Sequence, residues 1–354
     1  DRLPGSVIAM AQGRIEALEP EARHILQTTN IFGKTFWTGG VVALFDDRTP
    51  VAEIAPWLTE LGDREILTRQ DSGRFRGEQE WSFRHGLLAE AAYAMLTERD
   101  KRSAHQRAGE WLESVGEGDP VTLATHFEAG DEPKRAVVFW RRAAAQALEG
   151  SDLEAVLHYA DRGIACGGDG EVRGRLLLRK AEARRWRGEY AEAERHAREA
   201  MALLGRKSVR HFRALAEAVE AASALGDEPR LRELVSLLSQ RSQNGVRTAA
   251  HVVALSRAAV ALLQSGDYRS ADGLLAYVDD ASGPPTLSDP NASGTVHSAR
   301  AYRALVHGDT ALALSLYDAT IERFQEAGNV RGAARALVDS GAVCVEMGEW
   351  EDAE

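Results

Sequence analysis

The first residues that could carry chemistry are Gly33-Lys34-Thr35, the tripeptide that closes a phosphate-binding loop. Such a loop also needs a glycine five residues earlier, a buried strand leading in and a helix leading out, so that successive backbone amides surround the phosphates. Position 28 is threonine, and residues 20–30 have the apolar spacing of a helix rather than of a strand. The tripeptide is therefore predicted to form a turn after a helix, with no nucleotide bound at Lys34.

His85 is the second candidate, because it follows an arginine and precedes Glu90 by five residues. The other nine histidines are scattered singly, with no His-x-x-x-His pair and no clustered carboxylates. The two cysteines, Cys166 and Cys344, lie too far apart in sequence to suggest a disulfide framework or a metal site, which fits a reducing cytoplasm. We therefore expect a structural histidine at position 85, no bound metal, and a segment that does not catalyse a reaction.

The composition is that of a folded chain with more than one core. The sequence has 354 residues, 44% of them hydrophobic and 27% charged, which predicts several domains or a repeat array. The formal charge of −11 and the lack of a basic tract disfavour nucleic acid and mildly favour protein partners. No apolar run reaches the length of a membrane span, and no secretory pattern opens the chain. A cytoplasmic location is expected. Because the chain starts at Asp1 and ends within a continuing pattern, it is also expected to be a piece of a longer protein.

A turn that recurs along the chain indicates internal repeats. Its glycines are spaced by 38, 40, 42 and 40 residues. A period near 40 in an Ala-rich and Leu-rich sequence predicts helix pairs stacked into a solenoid. Five segments contain the turn: 187–193, 225–231, 265–271, 307–313 and 347–353.

In each turn, two recurring positions are predicted to end one helix and begin the next. Its glycine can take the left-handed conformation that ends the first helix, and the acidic residue after it can cap the second. The recurring pattern consists of glycine, an acidic residue, an aromatic, two further residues and alanine, with a small residue seven positions before the glycine. It resembles the tetratricopeptide repeat. The resemblance implies an α-α superhelical solenoid over residues 121–354.

The first hundred residues have a different pattern. Short helices are predicted at 4–18, 20–30, 37–45 and 51–61, followed by extended segments at 64–70 and 80–85 that a polar stretch joins into one β-hairpin. Helices followed by a hairpin indicate a small winged-helix domain over residues 1–98. Further helices form a connector over 99–120, so the predicted fold class is mostly all-α.

This first segment also resembles the winged-helix region of STAND-class signalling ATPases. The family places that region between a nucleotide-binding domain and a repeat sensor. The resemblance implies ATP and magnesium bound by a domain upstream of the chain, with His85 a candidate for contacting that nucleotide. The residues that match the family pattern are Phe83, Arg84, His85, Glu90, Tyr93 and Leu96.

DNA binding is the usual function of a free winged helix. The candidate recognition helix, 37–45, has no Arg, Lys, Asn or Gln that could contact base edges. The hairpin balances four arginines against four carboxylates. Nucleic acid is therefore not expected as a partner of this module.

The first helix of each repeat is expected to line a groove for a protein, a peptide or a small-molecule inducer. Counting back from the turn glycines places charged side chains in the early repeats and mostly apolar ones in the later repeats. An apolar section would serve equally as a binding face or as a stacking core, and both alternatives stay open. The predicted groove residues are Arg175, Glu182, Arg185, Trp186, Arg213, Glu220 and Tyr302.

Taken in order, the two resemblances predict the regulatory and sensing arm of a cytoplasmic signal-transduction ATPase, of the type fused to bacterial serine/threonine kinases. Ligand binding to the repeats would act on an intramolecular nucleotide-binding domain. Two alternatives remain: a free-standing tetratricopeptide scaffold, and the inducer-binding arm of a transcriptional activator.

Overall fold

The computed structural model describes residues 5–45, 51–242, 248–281 and 288–349, and these form eighteen α-helices and one small sheet. The predicted helix-rich fold is therefore confirmed. Residue contacts divide the chain into two compact units. The first comprises the chain up to Ala143 together with Ala165–Gly167, and the second comprises Ala144–Ile164 and the chain from Gly168 onward. The domain boundaries predicted at residues 98 and 120 stay predictions.

The first unit combines helices with three short strands. Its strands are β1 (Thr35–Trp37), β2 (Leu67–Arg69) and β3 (Glu80–Phe83). Its helices are α1 (Gly5–Glu16), α2 (Pro20–Thr29), α3 (Thr38–Leu44), α4 (Val51–Asp63), α5 (Gly86–Ala94), α6 (Glu98–Ser114) and α7 (Pro120–Ala129), and the unit ends inside α8 (Pro133–Glu149).

The three strands form one antiparallel sheet in the order β1-β3-β2. The predicted hairpin is β2–β3. The turn expected at residues 33–35 was only partly correct, because Gly33, at φ 89°, is followed by a strand that pairs Phe36 with Trp81. The backbone amide of Phe83 donates to the carbonyl of Lys34 at 3.0 Å. A three-residue strand has no periodicity of its own, and it forms here because β3 supplies its hydrogen-bond partners.

The core of the first unit lies between this sheet and the helices before it. Phe36 and Phe83 are buried with their ring centroids 5.6 Å apart, next to Leu26 and Leu58. Burial of these side chains fixes the strands against α2 and α4, since each large apolar side chain contributes roughly 1.5–3 kcal/mol when removed from water.

The second unit is built from successive antiparallel helix pairs. Helices α10 with α11, α14 with α15, and α16 with α17 pack as pairs, and α12 packs against both α10 and α14. The first helices also neighbour one another, so the pairs stack as the repeat pattern predicts. Beyond the end of α8, the helices are α9 (Leu153–Ala165), α10 (Gly170–Trp186), α11 (Tyr190–Leu203), α12 (Val209–Ala224), α13 (Glu228–Ser242), α14 (Ala249–Gln264), α15 (Tyr268–Ala281), α16 (Pro290–Val306), α17 (Thr310–Glu326) and α18 (Val330–Met347).

The turn glycines behave as the repeat pattern predicts. All five adopt positive φ, between 67° and 83°, which ends the first helix of each pair without the strain a side chain would bring. The fifth turn continues to residue 353, and its part beyond residue 349 lies outside the described residues. The five are Gly188, Gly226, Gly266, Gly308 and Gly348.

The acidic residue after the glycine caps the second helix in three of the turns. Asp227, Asp267 and Asp309 each accept a backbone N–H three residues further on, at 3.0 to 3.2 Å. Glu189 departs from the prediction, because its longer side chain makes no cap hydrogen bond and pairs instead with Arg184 and Arg187. The array therefore tolerates one turn held by ion pairs.

Candidate functional site

The first helices of the pairs, α10, α12, α14, α16 and α18, share one surface of the second unit. Arg335 of α18 reaches back to Glu220 of α12, with 3.9 Å between Nη1 and Oε2, although two other first helices lie between them in sequence. Such a contact requires the row of first helices to curve, with these side chains on its concave side. We call this surface the inner face.

A group of opposite charges occupies the centre of the inner face. Nε of Arg185 lies 2.5 Å from Oε2 of Glu217, and its Nη1 lies 3.0 Å from Oε2 of Glu220. Arg257 contacts the same two carboxylates, with Nη1 2.8 Å from Glu217 and Nε 3.1 Å from Glu220. Two arginines and two glutamates from α10, α12 and α14 thus form a closed square of ion pairs.

A third arginine and a third carboxylate extend the group onto α18. Arg335 lies 3.9 Å from Glu220 and 4.0 Å from Asp339, at the limit of an ion pair. Three cations therefore face three anions, so the group is neutral by count. We call it the charge cluster, and its members are Arg185, Glu217, Glu220, Arg257, Arg335 and Asp339.

Burial and pairing act in opposite directions on these groups. Burial lowers the pKa of Arg185, but Glu217 and Glu220 outweigh it and raise that pKa above its ordinary value. Burial raises the pKa of Glu220, and the three arginines outweigh it and lower that pKa below its usual range. Arg185 and Glu220 are therefore charged at neutral pH, and the arrangement suits holding a fixed geometry rather than transferring protons.

Asp339 lies at a more buried end of the inner face, beside two tyrosines. Burial raises the pKa of Asp339, against the opposing effect of Arg335. Burial, followed by the charge of Asp339, also raises the pKa of Tyr302 and of the fully buried Tyr317. At this end of the surface, the hydroxyl of Tyr302 and the carboxyl of Asp339 therefore both have raised pKa values.

Trp186 forms the edge of the inner face at the end of α10. The guanidinium carbon of Arg185 lies 4.5 Å from its ring centroid, and that of Arg331, on α18, lies 5.6 Å away. Arg331 also donates to the carbonyl of Leu148 and, at 3.0 Å, to Oγ of Ser151 in the turn between α8 and α9. The start of α18 is thereby held against the beginning of the same unit.

The structure brings together three of the predicted groove residues, Arg185, Trp186 and Glu220. Two others are paired within their own helix α10: Arg175 with Glu171 at 2.6 Å, and Glu182 with Arg179 at 2.7 Å. The remaining two, Arg213 and Tyr302, lie on α12 and α16, and Arg213 is exposed. Binding of a partner by these seven residues stays a prediction.

Four members of the charge cluster, Glu217, Arg257, Arg335 and Asp339, were missed from the sequence. Mostly apolar side chains were expected on the later first helices, so Arg257 on α14 was passed over, although it lies on the helical stripe that faces Glu217 and Glu220. Glu217 stands likewise four residues after Arg213. Considering every position of the stripe would have found both, whereas the approach of Arg335 depends on the curvature of the array.

The two residues first considered for chemistry both lie at the ends of elements of the first unit. His85 is exposed at the start of α5, and Lys34 leads into strand β1. Within residues 5–45, 51–242, 248–281 and 288–349, no group of three or more His, Cys, Asp or Glu side chains could hold a metal ion. In the same part of the chain, no helix combines the length and the apolar character of a membrane span.

The sequence matches no protein-family profile, and no curated protein matches it. Among solved structures, a Rap protein complexed with Competence and Sporulation Factor is 12% identical and aligns over 99% of this chain and 89% of its own, with a TM-score of 0.40. BtubC from P. vanneervenii is 14% identical over 62% of this chain and 86% of its own, with a TM-score of 0.36. A Podospora anserina protein with nearly identical TPR-like repeats is 16% identical over 52% and 86%, with a TM-score of 0.30. Scores this low do not establish a common overall arrangement.

Proposed function

We propose that the second unit is an interaction module that binds a protein or peptide partner on its inner face. The observation that carries this proposal is the charge cluster, which joins three of the first helices and reaches a fourth while leaving no net charge of its own. Ion pairs that fix neighbouring helices reduce the freedom lost when a partner binds, and preorganisation of this kind favours affinity.

Tyr302 provides a direct test, because it is a half-buried side chain on the inner face outside the charge cluster. We expect Tyr302→Ala to weaken capture of a partner by the full chain, measured by crosslinking and quantitative mass spectrometry. Tyr190→Ala on α11, a second helix, is the matched control and should leave capture unchanged. Equal capture by the unsubstituted chain, Tyr302→Ala and Tyr190→Ala would contradict the proposal.

The finer proposal is that the chain is the sensing arm of a signalling ATPase, with residues 1–98 a winged-helix domain. Its elements run α2, β1, α3, α4, β2, β3, the order expected of a winged helix, and the residues from Phe83 to Leu96 resemble the STAND-class segment. In this proposal ATP and magnesium are bound by an intramolecular nucleotide-binding domain, His85 is available to contact that nucleotide, and the effector is a serine/threonine kinase.

Partner binding on the repeats would then change the nucleotide-bound state of that domain. The expected outcome is a change in nucleotide turnover by the intact protein when a partner occupies the inner face. Equal turnover with and without the second unit and its partner would contradict the finer proposal but leave the interaction module intact.

The charges of the first unit favour a protein rather than a DNA partner. In the proposed winged helix the third helix is α4, not the segment 37–45 considered from the sequence. Helix α4 carries Glu53, Glu60 and Asp63 and no Lys or Arg. A helix of this charge would repel the phosphate backbone, so flat titrations with duplex DNA are expected.

A further inference from the structure

The starts of α10 and α12 carry more positive charge than their surroundings. Besides Arg173, five cations lie there against two carboxylates, Asp169 and Glu171. The chain as a whole has a formal charge of −11, so this excess is local. We call the five the basic corner: Arg175, Arg206, Lys207, Arg210 and Arg213.

Glu171 shows that the two helix starts are adjacent. Its Oε1 lies 2.6 Å from Nη2 of Arg175 on its own helix and 3.7 Å from Nη1 of Arg210 on α12. Hydrogen bonding to Arg175, followed by the charges of Arg175 and Arg210, lowers the pKa of Glu171. One carboxylate is thus shared between two arginines of neighbouring helices.

Arg213 is the member of the basic corner whose guanidinium group is best placed to bind a ligand. It is exposed, it precedes the buried Glu217 by one helical turn on the inner-face stripe of α12, and it makes no ion pair within the part of the chain that the structure describes. Four residues further along, Glu217 is paired with Arg185 and Arg257. The inner face therefore has a compensated centre and, one helical turn away, an arginine with no ion pair in the described part of the chain.

We propose that the basic corner binds an acidic segment of the protein partner, with carboxylates of that segment pairing with Arg213 and Arg175. The inference rests on the interaction module proposed above and specifies the chemistry of its partner. Guanidinium groups bind carboxylates through two parallel hydrogen bonds, and the N-terminus of α12, capped by Ser208, adds positive potential beside them.

Several carboxylates are required, because a single exposed ion pair contributes little affinity. A peptide fits the corner better than a nucleic acid does. The five cations occupy two adjacent helix starts, whereas a duplex would bring its continuous row of phosphates against the acidic remainder of the chain.

Fluorescence anisotropy of the full chain with fluorescein-labelled hexaglutamate tests the inference. Binding is expected at low ionic strength and should weaken as salt is added, because the contacts are exposed. Hexaglutamine is not expected to bind. We expect the double substitution Arg175→Glu with Arg213→Glu to weaken hexaglutamate binding by about tenfold or more.

A control double substitution separates the basic corner from net charge. Arg232 pairs with Glu228 within α13 as Arg175 pairs with Glu171, and Arg269 on α15 is exposed with no ion pair in the described part of the chain, as Arg213 is. Arg232→Glu with Arg269→Glu changes the total charge equally. It should alter hexaglutamate binding by about twofold at most.

Three outcomes would overturn the inference: no hexaglutamate binding, equal weakening by both double substitutions, or tighter binding of a labelled DNA duplex than of the peptide. If Tyr302→Ala weakens partner capture while Arg175→Glu with Arg213→Glu does not, the interaction module stands and the acidic partner is wrong. If neither weakens capture, the module itself fails. Gln substitutions at positions 175 and 213 provide a second pair of variants without charge reversal.

Discussion

Glu217 is held between two arginines, with Oε2 2.5 Å from Nε of Arg185 and Oε1 2.8 Å from Nη1 of Arg257. Its side chain and that of Arg185 are almost fully buried. A buried ion is stable only when its charge and its hydrogen bonds are met, so the cost of losing one partner exceeds the net contribution of the pair.

Glu217→Ala should therefore destabilise the second unit by about 3–5 kcal/mol, because it leaves Arg185 buried beside a cavity. Urea unfolding followed by hydrogen exchange of α10 and α12 measures the loss. The control is Glu228→Ala, which removes an exposed i,i+4 pair with Arg232 and should cost about 0.5 kcal/mol or less. Similar losses of unfolding free energy for the two variants would show that removing a buried partner from the charge cluster costs no more than removing an exposed one.

A second buried polar group lies in the first unit. Nδ1 of His105 and Nδ1 of His126 are 3.1 Å apart, and the hydroxyl of Tyr93 lies 3.1 Å from Nε2 of His105. Burial, with the nearby charge of Lys101, lowers the pKa of His105 to about 4. Burial, with His105 beside it, lowers the pKa of His126 to about 3. Both rings are neutral in the folded state at neutral pH.

Acid should destabilise the first unit through this pair. Both folded-state pKa values lie below the value of about 6.5 in the unfolded chain, so the unfolded state binds more protons over the interval between them. The contribution of the neutral histidines to the free energy of unfolding is therefore fully present above about pH 6.5. It falls as pH drops towards 4 and then 3, by up to about 3 kcal/mol for His105.

Replacing both histidines by leucine should reduce the difference in melting temperature between about pH 7 and about pH 5. Differential scanning calorimetry at the two pH values measures it. His85→Leu, at an exposed position, is the control and should leave the difference unchanged. An unchanged difference in the double variant would mean that other groups carry the acid sensitivity.

At the scale of the element, the helix pairs depend on their turns. Gly266 has φ 83°, and a Cβ added there would meet no atom within 4 Å. The cost of a side chain at this position is thus one of backbone conformation and not of packing. The same holds for the equivalent glycines of the other described turns, which also have open space around them.

Gly266→Ala should destabilise the α14–α15 pair by about 1–2 kcal/mol, because an L-residue is forced into the left-handed region. Gly205 offers a matched control. It also has open space around it but lacks the positive φ, so Gly205→Ala should be neutral or slightly stabilising. Thermal unfolding of the two variants compares them, and a loss at Gly205 as large as that at Gly266 would contradict the explanation.

At the scale of the whole molecule, α18 meets the beginning of its own unit. Arg331 bonds the turn between α8 and α9 and lies over Trp186, across 183 and 145 residues of sequence. Arg335 adds the contact with Glu220. Because these are the contacts that tie the last described helix to the first ones, they set how far the inner face is enclosed.

Arg331→Ala should increase hydrogen exchange at the start of α18 and in the turn around Ser151, with little change in the rest of the array. Exchange followed by mass spectrometry reports both segments. Arg323→Ala is the control, since Arg323 pairs with Glu326 within α17, with 2.8 Å between Nη1 and Oε2. Unchanged exchange at Ser151 in Arg331→Ala would show that the closure does not depend on this residue.

Much of the fold could be predicted because its signals are local. The turn glycines, the acidic caps and the Ala-rich helix faces act within a few residues, and the described turns have the predicted conformation. The hairpin β2–β3 was predicted for the same reason. Strand β1 was missed because residues 35–37 are extended only through their pairing with a strand more than forty residues away.

The candidate site was predicted in part. Arg185, Trp186 and Glu220 follow from counting along one helix, and they lie together. Arg257 could have been found on the same basis, but Arg335 and Arg331 reach the inner face only because the array curves. Which charges are compensated was also not predictable, since compensation depends on distances between helices that are far apart in sequence.

The sequence by itself determined that this chain is an array of helix pairs with a different, sheet-containing segment before it, because hydrophobic period, glycine spacing and capping residues act locally. Only the tertiary structure decided that the central charges of the inner face neutralise one another while Arg213 makes no ion pair in the described part of the chain. The physical reason is that electrostatic compensation is set by separation in space, and curvature brings together an arginine and a carboxylate 115 residues apart within the described chain.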